Sequence, residues 1–553
     1  MMRLRVLPAL LSLLVLTGTA VAQDAPAGAN VPIARVDSIF ARWSSPTSPG
    51  CAVGIAQQGR PLLSRAYGMA DLEHAAQNTP ATIFEAGSVS KQFTAAAVAL
   101  LAQQGKLSLD DDVRKHVPEL PAYEAPITIR HLIHHTSGLR DWGTVVGAAG
   151  WPRTSRTYTH EHVLDVVSRQ RSLNYAPGAE YSYTNSGYNL LAIIVERVSG
   201  QPFAEYSRQH IFKPLGMHQT QWRDDFTRVV KGRATAYTLR EGAFHILMPF
   251  ENVHGNGGLL TTVGDLLIWN ENLERGTVGG PALLKELHRQ GQLSNGRQIG
   301  YAGGLVIGTH RSVPEVSHGG ATAGYRAYLT RYPKQGLSVA LLCNTTNVDA
   351  GSLARRTADV FLDGHAPEAR PPRAVTLSPS ALASREGLYR NARTHEPLRL
   401  SVVDGKLRMD GRTELVPLTG SVFQIGRGNE RLSFNADART RSKGFRLIDA
   451  DGDSVTFEPV AAAAPAIQDL RAYEGEYHSD EAEADYSVRV RDGVLTLELR
   501  PHVRTPLTPS YADAFTTPSG SLVRFLRAPD GRVKEMSFGL GRARDLRFAR
   551  RGD

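Results

Sequence analysis

The apolar positions change their period partway along the chain. Val89, Phe93, Ala96, Ala97, Leu100 and Leu101 recur at helical spacing and stop at Gly105, which predicts a buried helix with Ser88 in its first turn. Leu190, Leu191, Ile194, Val195 and Val198 mark another helix, closed by Gly200. The turn Pro177-Gly178 precedes it, so Tyr183 and Asn185 are expected on a loop. Residues 316–332 and 337–343 read as strands joined by Pro333-Lys334-Gln335-Gly336, a hairpin at a sheet edge. Helices and strands stay mixed in this way from about Ala34 to Phe361.

Pro367, Pro371, Pro372 and Pro379 then interrupt the pattern as a linker does. Beyond them helical periodicity gives way to alternation, as in Leu398-Arg399-Leu400-Ser401-Val402 and Tyr486-Ser487-Val488-Arg489-Val490, which suits half-buried strands. Leu382, Glu386, Gly387, Tyr389, Asp404, Gly405 and Leu407 recur as Leu470, Glu474, Gly475, Tyr477, Asp492, Gly493 and Leu495, every pair 88 residues apart. Both Asp-Gly steps sit between alternating runs, where hairpin turns belong. Two antiparallel barrel-like domains of roughly 80 residues each are expected, since closing a sheet removes its aggregation-prone edges.

At the front, Arg3 and Arg5 precede an apolar run over residues 6–16 and the small-residue sequence Ala20-Val21-Ala22, the layout of an export signal cleaved after Ala22. The run is too short to span a bilayer. No cysteine follows it directly, which excludes a lipid anchor there. The expectation is an exported chain, periplasmic or secreted, with no membrane span after cleavage. Its divisions are a signal at 1–22, an α/β domain at 23–365, a linker at 366–379, and barrels at 380–462 and 463–553, with the joint near 461–465.

With 553 residues the chain exceeds a single small domain, and 41% hydrophobic against 21% charged residues is a globular balance. A net charge of +9 without long basic runs argues against nucleic-acid binding. Cys51 and Cys343 stand outside any metal-binding spacing; in an oxidising compartment they either pair or remain two buried thiols. His131, His134 and His135 have ligand-like helical spacing but no nearby carboxylate partner, and His160-Glu161-His162 lacks the His-Glu-x-x-His interval. No metal and no cofactor are expected.

Ser88 and Lys91 share a helix face, close enough for the amine to hydrogen-bond the hydroxyl. A desolvated lysine loses its preference for charge and becomes able to accept a proton. The plainer reading makes Ser88 a helix cap and Lys91 a solvated side chain. Likewise Asn185 could cap its helix and Tyr183 fill a core, and a second Tyr-x-Asn at Tyr389 to Asn391 shows how common that pattern is. His318-Gly319-Gly320 opens a strand with one face stripped of side chains, which lets a substrate or an oxyanion approach the backbone; a bulge explains the glycines equally. No Gly-x-Ser-x-Gly occurs, which argues against an α/β-hydrolase elbow.

Taken in order, Ser88-Val89-Ser90-Lys91, Tyr183-Thr184-Asn185 and His318-Gly319-Gly320 resemble the three motifs of the penicillin-recognising serine hydrolases, in their class C β-lactamase-like branch. Residues 129–139, Pro214-Leu215-Gly216-Met217 and Gly257-Gly258-Leu259 share the likeness, which covers about residues 30 to 362. The resemblance implies an α/β domain, with an antiparallel sheet flanked by helices plus a helical lobe, and the site between them. It implies Ser88 as nucleophile and Lys91 and Tyr183 sharing acid and base work. Asn185, His318 and Gly320 would meet the substrate, and the N–H groups of Ser88 and Ala321 would form the oxyanion hole. Tyr183 could be the base only if cation charge from Lys91 or His318 favours its phenolate, so which group is the base stays open.

Where many relatives carry Lys-Thr-Gly, this chain has His318-Gly319-Gly320, which weakens the case for penicillin or D-Ala-D-Ala carboxylates as substrates. The catalytic domain followed by two barrels resembles the D-aminopeptidase arrangement, in which a barrel loop reaches the site; residues 505–519 are irregular enough to supply one. The expected function is an exported serine hydrolase that cleaves amides of small D-residue peptides through an acyl-serine. A short-chain esterase or a β-lactamase is the alternative within that chemistry, and a non-catalytic binder of wall fragments or β-lactams the alternative outside it. The expected partner is a small amide, ester or peptide substrate.

Overall fold

The computed structural model describes residues 32–362, 374–426, 428, 430–434, 444–449, 452–500 and 503–552. The expected signal at 1–22 lies outside the described residues, as do residues 366–373 of the expected linker.

Six antiparallel strands form the central sheet: β1 (Cys51–Gln57), β2 (Arg60–Tyr67), β3 (Val306–His310), β4 (Val313–Thr322), β5 (Tyr325–Tyr332) and β6 (Leu337–Cys343), in the order β3-β4-β5-β6-β1-β2. Two expectations are corrected here. Residues 316–332 form two strands, because the chain reverses at Ala323-Gly324, and the β5–β6 hairpin is central rather than at an edge. The reason is long-range pairing: β6 pairs with β1 along its whole length. That register sets Cys51 opposite Cys343, and the two cysteines are joined in a disulfide.

The central strands β5, β6 and β1 are buried on both faces, whereas the edge strands β2 and β3 are largely exposed. Val53 and Ile55 of β1 pack with α1 (Ile33–Phe40) on one side, whereas Ala52 and Ala56 face the core that includes α2 (Lys91–Gln103). Every residue of α2 from Lys91 to Leu101 is buried, as expected of a helix with apolar neighbours all round. Beside it lies α3 (Asn185–Ser199), ended by Gly200 in the left-handed conformation. A further helix, α4 (Ala350–Leu362), covers the same face as α1.

From residue 374 on, the described elements are strands apart from short helical turns at Pro379–Ala383 and at residues 467–473. Eight strands, from Gly387–Asn391 to Ser454–Val460, close a barrel. Nine more form a sheet whose edge strands, Val503–Pro506 and Thr508–Pro509, follow one another in the chain, so it is nearly closed. The 88-residue repeat has a physical basis. Tyr389 Oη donates to Arg385 O and Tyr477 Oη to Tyr473 O, each four residues back. Glu386 accepts from Val402 N and Glu474 from Val490 N. Asp404-Gly405 and Asp492-Gly493 adopt positive φ, as tight hairpin turns require.

The nine-stranded unit docks on the α/β domain through Arg140, whose side chain is only 1% exposed. It donates to Glu481 Oε1, Gln170 Oε1, Ser172 Oγ and the carbonyls of Arg544 and Asp545. Those two carbonyls belong to the loop between β7 (Val533–Gly539) and β8 (Leu546–Arg551).

Candidate active site

Ser88 sits in a short 3₁₀ turn, Gly87–Ser90, that leads directly into α2. Gly87 has a φ of 51°, and a Cβ there would stand 2.6 Å from Ala321 N. On the facing strand β4, a Cβ at Gly320 would stand 2.0 Å from Ala86 O and 3.1 Å from Ser88 N. Only two glycines permit so close a backbone approach, and it sets Ala321 beside the turn that carries Ser88.

Lys91 is fully buried and its Nζ makes three hydrogen bonds: to Ser88 Oγ at 3.2 Å, Asn185 Oδ1 at 3.0 Å and Asn256 O at 2.7 Å. Burial drives its pKa well below that of a free lysine; Arg153 and Arg542 add to the effect, and only Asp141 opposes it. Tyr183 lies alongside, with its ring centroid 4.7 Å from Lys91 Nζ. Its hydroxyl is shielded, with Ser88 for a neighbour but no well-formed hydrogen bond. Burial raises the pKa of this phenol, outweighing the opposing influence of Ser88 and Arg542.

Asn185 is the first residue of α3 rather than part of a loop, and Thr184 caps that helix by accepting from Ser186 N. Its backbone N–H donates to Asp141 Oδ2 at 2.7 Å, which orients the side chain toward Lys91. His318 is buried on β4, with Nε2 3.0 Å from Tyr301 Oη and Nδ1 2.6 Å from Gly319 O. A carbonyl only accepts, so Nδ1 carries the proton and Nε2 accepts a hydrogen bond from the Tyr301 hydroxyl, the pattern of a neutral imidazole. Burial, with a smaller contribution from Lys91, brings its pKa down to about 4. His318 therefore supplies no cation at neutral pH to favour a Tyr183 phenolate.

The structure thus gathers Ser88, Lys91, Tyr183, Asn185, His318, Gly320 and Ala321 around one site. All but Lys91 line an open cleft of about 910 Å³. Sequence reasoning missed Asn256 and Asp141, which hold Lys91 and Asn185 through single hydrogen bonds and belong to no pattern. His135, weighed in the sequence only as a metal ligand and set aside as structural, has a φ of 58° and packs its ring 4.2 Å from that of Tyr183 while Nδ1 accepts from Thr184 N. His131 and His134 serve locally, the former accepting from Thr128 N and the latter pairing with Arg289 O. Among the described residues no group of three or more His, Cys, Asp or Glu is placed to hold a metal.

The chain segment that enters the cleft from the nine-stranded unit is not 505–519, which is partly taken up by strands at and beside the sheet edge and contributes no residue to the cleft lining. It is the β7–β8 loop, whose Arg542 lines the cleft with its guanidinium carbon 5.0 Å from the Tyr183 ring centroid. Asp141 N and Asn174 Nδ2 both donate to Arg542 O and pin the loop.

The beta-lactamase family model matches residues 37–362. A D-aminopeptidase of Cereibacter sphaeroides is 28% identical over 455 residues, covering 80% of this chain and 82% of the relative. Among solved structures, the D-amino acid amidase of Ochrobactrum anthropi SV3 shares the fold with a TM-score of 0.52 and 22% identity, over 60% of this chain and 99% of that one. SurE, at 18% identity and a TM-score of 0.50, covers 94% of this chain and 99% of its own, so its likeness extends through the β domains.

Proposed function

The chain belongs to the beta-lactamase family and is a serine hydrolase, and from that premise we propose that it cleaves amides of small D-residue peptides through an acyl-Ser88 intermediate. The hydrogen-bond pattern at Lys91 carries this reading. A neutral amine has two N–H donors and one lone pair. Asn185 Oδ1 and Asn256 O are acceptors, so they take both donors and leave the lone pair for the Ser88 hydroxyl at 3.2 Å. Burial favours the neutral amine. In this reading Lys91 takes the hydroxyl proton as Ser88 Oγ attacks the acyl carbon.

The N–H groups of Ser88 and Ala321 meet the developing oxyanion. Tyr183, held as the phenol, gives its proton to the departing amine and regains one from Lys91. Water then attacks the acyl-serine by the reverse proton path and releases the acid. Asn185 and Gly320 position the substrate, and His318, neutral, holds Tyr301 and Gly319; it stands within β4, which begins at Val313, and does not open the strand.

The D-residue preference draws on the aminopeptidase relative, which covers most of both chains. Export to the periplasm or beyond draws on the N-terminal pattern and on the Cys51–Cys343 disulfide, a bond rare in reducing compartments. No described helix is long and apolar enough to cross a membrane.

Rates on D-alanine anilide, L-alanine anilide, a short acyl ester and a penicillin test the proposal. Hydrolysis of the D-anilide well above the L-anilide supports it. Faster turnover of the ester with no D-preference makes the chain an esterase, rapid opening of penicillin alone makes it a β-lactamase, and inertness to all four makes it a binder.

A further inference from the structure

Four guanidinium groups line the cleft, and three are engaged. Arg153 pairs with Glu251, Arg355 pairs with Glu315, and Arg326 donates to the carbonyls of Ala323 and Tyr325. Arg542 has no carboxylate within ion-pair distance among the described residues; its recorded side-chain contact is with the Tyr183 ring. The carboxylate on the cleft wall belongs to Asp349, which caps Ser352 N. His318 is neutral, and Lys91 is stripped of its preference for charge. A guanidinium stays charged at any physiological pH and presents a fork matched to a carboxylate. Among the described residues Arg542 is thus the cleft guanidinium with neither a carboxylate nor a carbonyl partner; Arg326 also lacks a carboxylate, but its donors are turned to the backbone.

Its position says where the matching anion belongs. The guanidinium carbon lies 5.0 Å from the centroid of the Tyr183 ring, the ring read above as proton donor to the departing amine. In an amino acid the carboxylate carbon is two bonds from the amine nitrogen, roughly 2.5 Å. With the guanidinium against the same ring, a carboxylate attached that close to an amine at the Tyr183 hydroxyl falls on the side of the cleft that Arg542 lines. The loop is held in advance: Arg542 O accepts from Asp141 N at 3.0 Å and Asn174 Nδ2 at 3.1 Å, while Arg544 N donates to Asn174 Oδ1 at 2.7 Å and its guanidinium to Glu180 Oε2 at 2.9 Å. The loop backbone therefore has little freedom to lose on binding, and only the Arg542 side chain remains to be ordered.

We propose that Arg542, delivered by the nine-stranded unit, captures a free carboxylate on the leaving side of the substrate. The preferred amide is then one whose released amine is itself an amino acid, a short peptide of D-residues with a free C-terminus. This rests on the reading of Ser88, Lys91 and Tyr183 given above. It also assigns the anion-binding task to a residue outside the catalytic domain, since His318 stands uncharged where other members of the family carry a lysine.

The test separates binding from chemistry. In the full chain carrying Ser88→Ala, calorimetric titration compares D-Ala-D-Ala with the same dipeptide as its C-terminal amide. The proposal predicts that the free acid binds about 10- to 100-fold tighter, the worth of one charge-assisted bidentate contact. Adding Arg542→Ala should bring the ratio to about one, and Arg542→Lys, which keeps charge but loses the fork, should leave a part of it. Equal binding of acid and amide in the Ser88→Ala chain, or a preference that survives Arg542→Ala, overturns the proposal. Hydrolysis of the two dipeptides by the unaltered chain reports separately on Ser88: a binding preference without any hydrolysis would sink the catalytic reading and leave the carboxylate site standing.

Discussion

Replacing Gly320 with alanine puts a single methyl group where the geometry leaves no room. The new carbon would stand 2.0 Å from Ala86 O and 3.1 Å from Ser88 N. Gly320 is not among the positive-φ residues, so the penalty is contact, not backbone conformation. Ordinary contact needs more than about 3 Å, so β4 or the Ser88 turn must move by roughly 1 Å. A displacement of that size in a catalytic group costs about 100-fold, and loss of one oxyanion donor about 100- to 1,000-fold in kcat, on the order of 3 to 4 kcal/mol. Its neighbour supplies the control. A Cβ at Gly319 would meet the Tyr328 ring at 3.5 Å, an ordinary contact, so Gly319→Ala should stay within about threefold of the unaltered chain. The assay is kcat and KM on D-alanine anilide for both variants, with thermal unfolding run beside it to confirm that each is folded. A folded Gly320→Ala chain with kcat within about threefold of the original would refute the claim that this backbone approach sets the oxyanion donors.

Other perturbations have equally definite outcomes. Glu481→Gln removes the ionised partner of buried Arg140 and should lower stability by about 3 kcal/mol, read as a drop in Tm together with lower kcat, since Arg140 and Asp141 adjoin the Asn185 helix; an unchanged Tm contradicts the docking role. Cys51→Ala with Cys343→Ala opens a link between residues 292 apart and should cost up to about 5 kcal/mol through chain entropy, while the β1–β6 pairing keeps activity at low temperature; loss of activity in the folded variant would speak against that. Acid should weaken the fold. His134 and His318 have their pKa values brought down to about 4 by burial, so above pH 6.5 neither state binds their protons, and below it the unfolded chain takes up protons the fold refuses. Stability should fall between pH 6.5 and about 4 by on the order of 3 kcal/mol per histidine, and a flat denaturation midpoint across that window would exclude it.

The legible part of the molecule was the part written in local chemistry. Helical spacing around Ser88 and after Asn185, alternation beyond Pro379 and the recurrence of Tyr389 as Tyr477 each follow from short-range periodicity or repetition, and the elements stand where those patterns put them. Strand order was not legible, because pairing of β6 with β1 is a contact between opposite ends of a domain, to which neither strand's own sequence points. The same holds for Arg542: its loop is set by Arg140 and Asp141, some 400 residues away in the chain, and an arginine flanked by glycine and alanine looks like any solvated turn residue. The base question turned on burial. From composition alone Lys91 and Tyr183 were equal candidates, whereas full enclosure lowers the pKa of the amine and raises that of the phenol, pushing both toward their neutral forms.

The central claim is that Ser88 is acylated during turnover with Lys91 as its base. Mass spectrometry of the chain quenched during hydrolysis of a D-alanine ester tests it most directly. The account predicts one D-alanyl addition, mapped to the peptide containing Ser88, absent from Ser88→Ala and forming far more slowly in Lys91→Met. An adduct on another residue, or sustained hydrolysis by the Ser88→Ala chain, would contradict it.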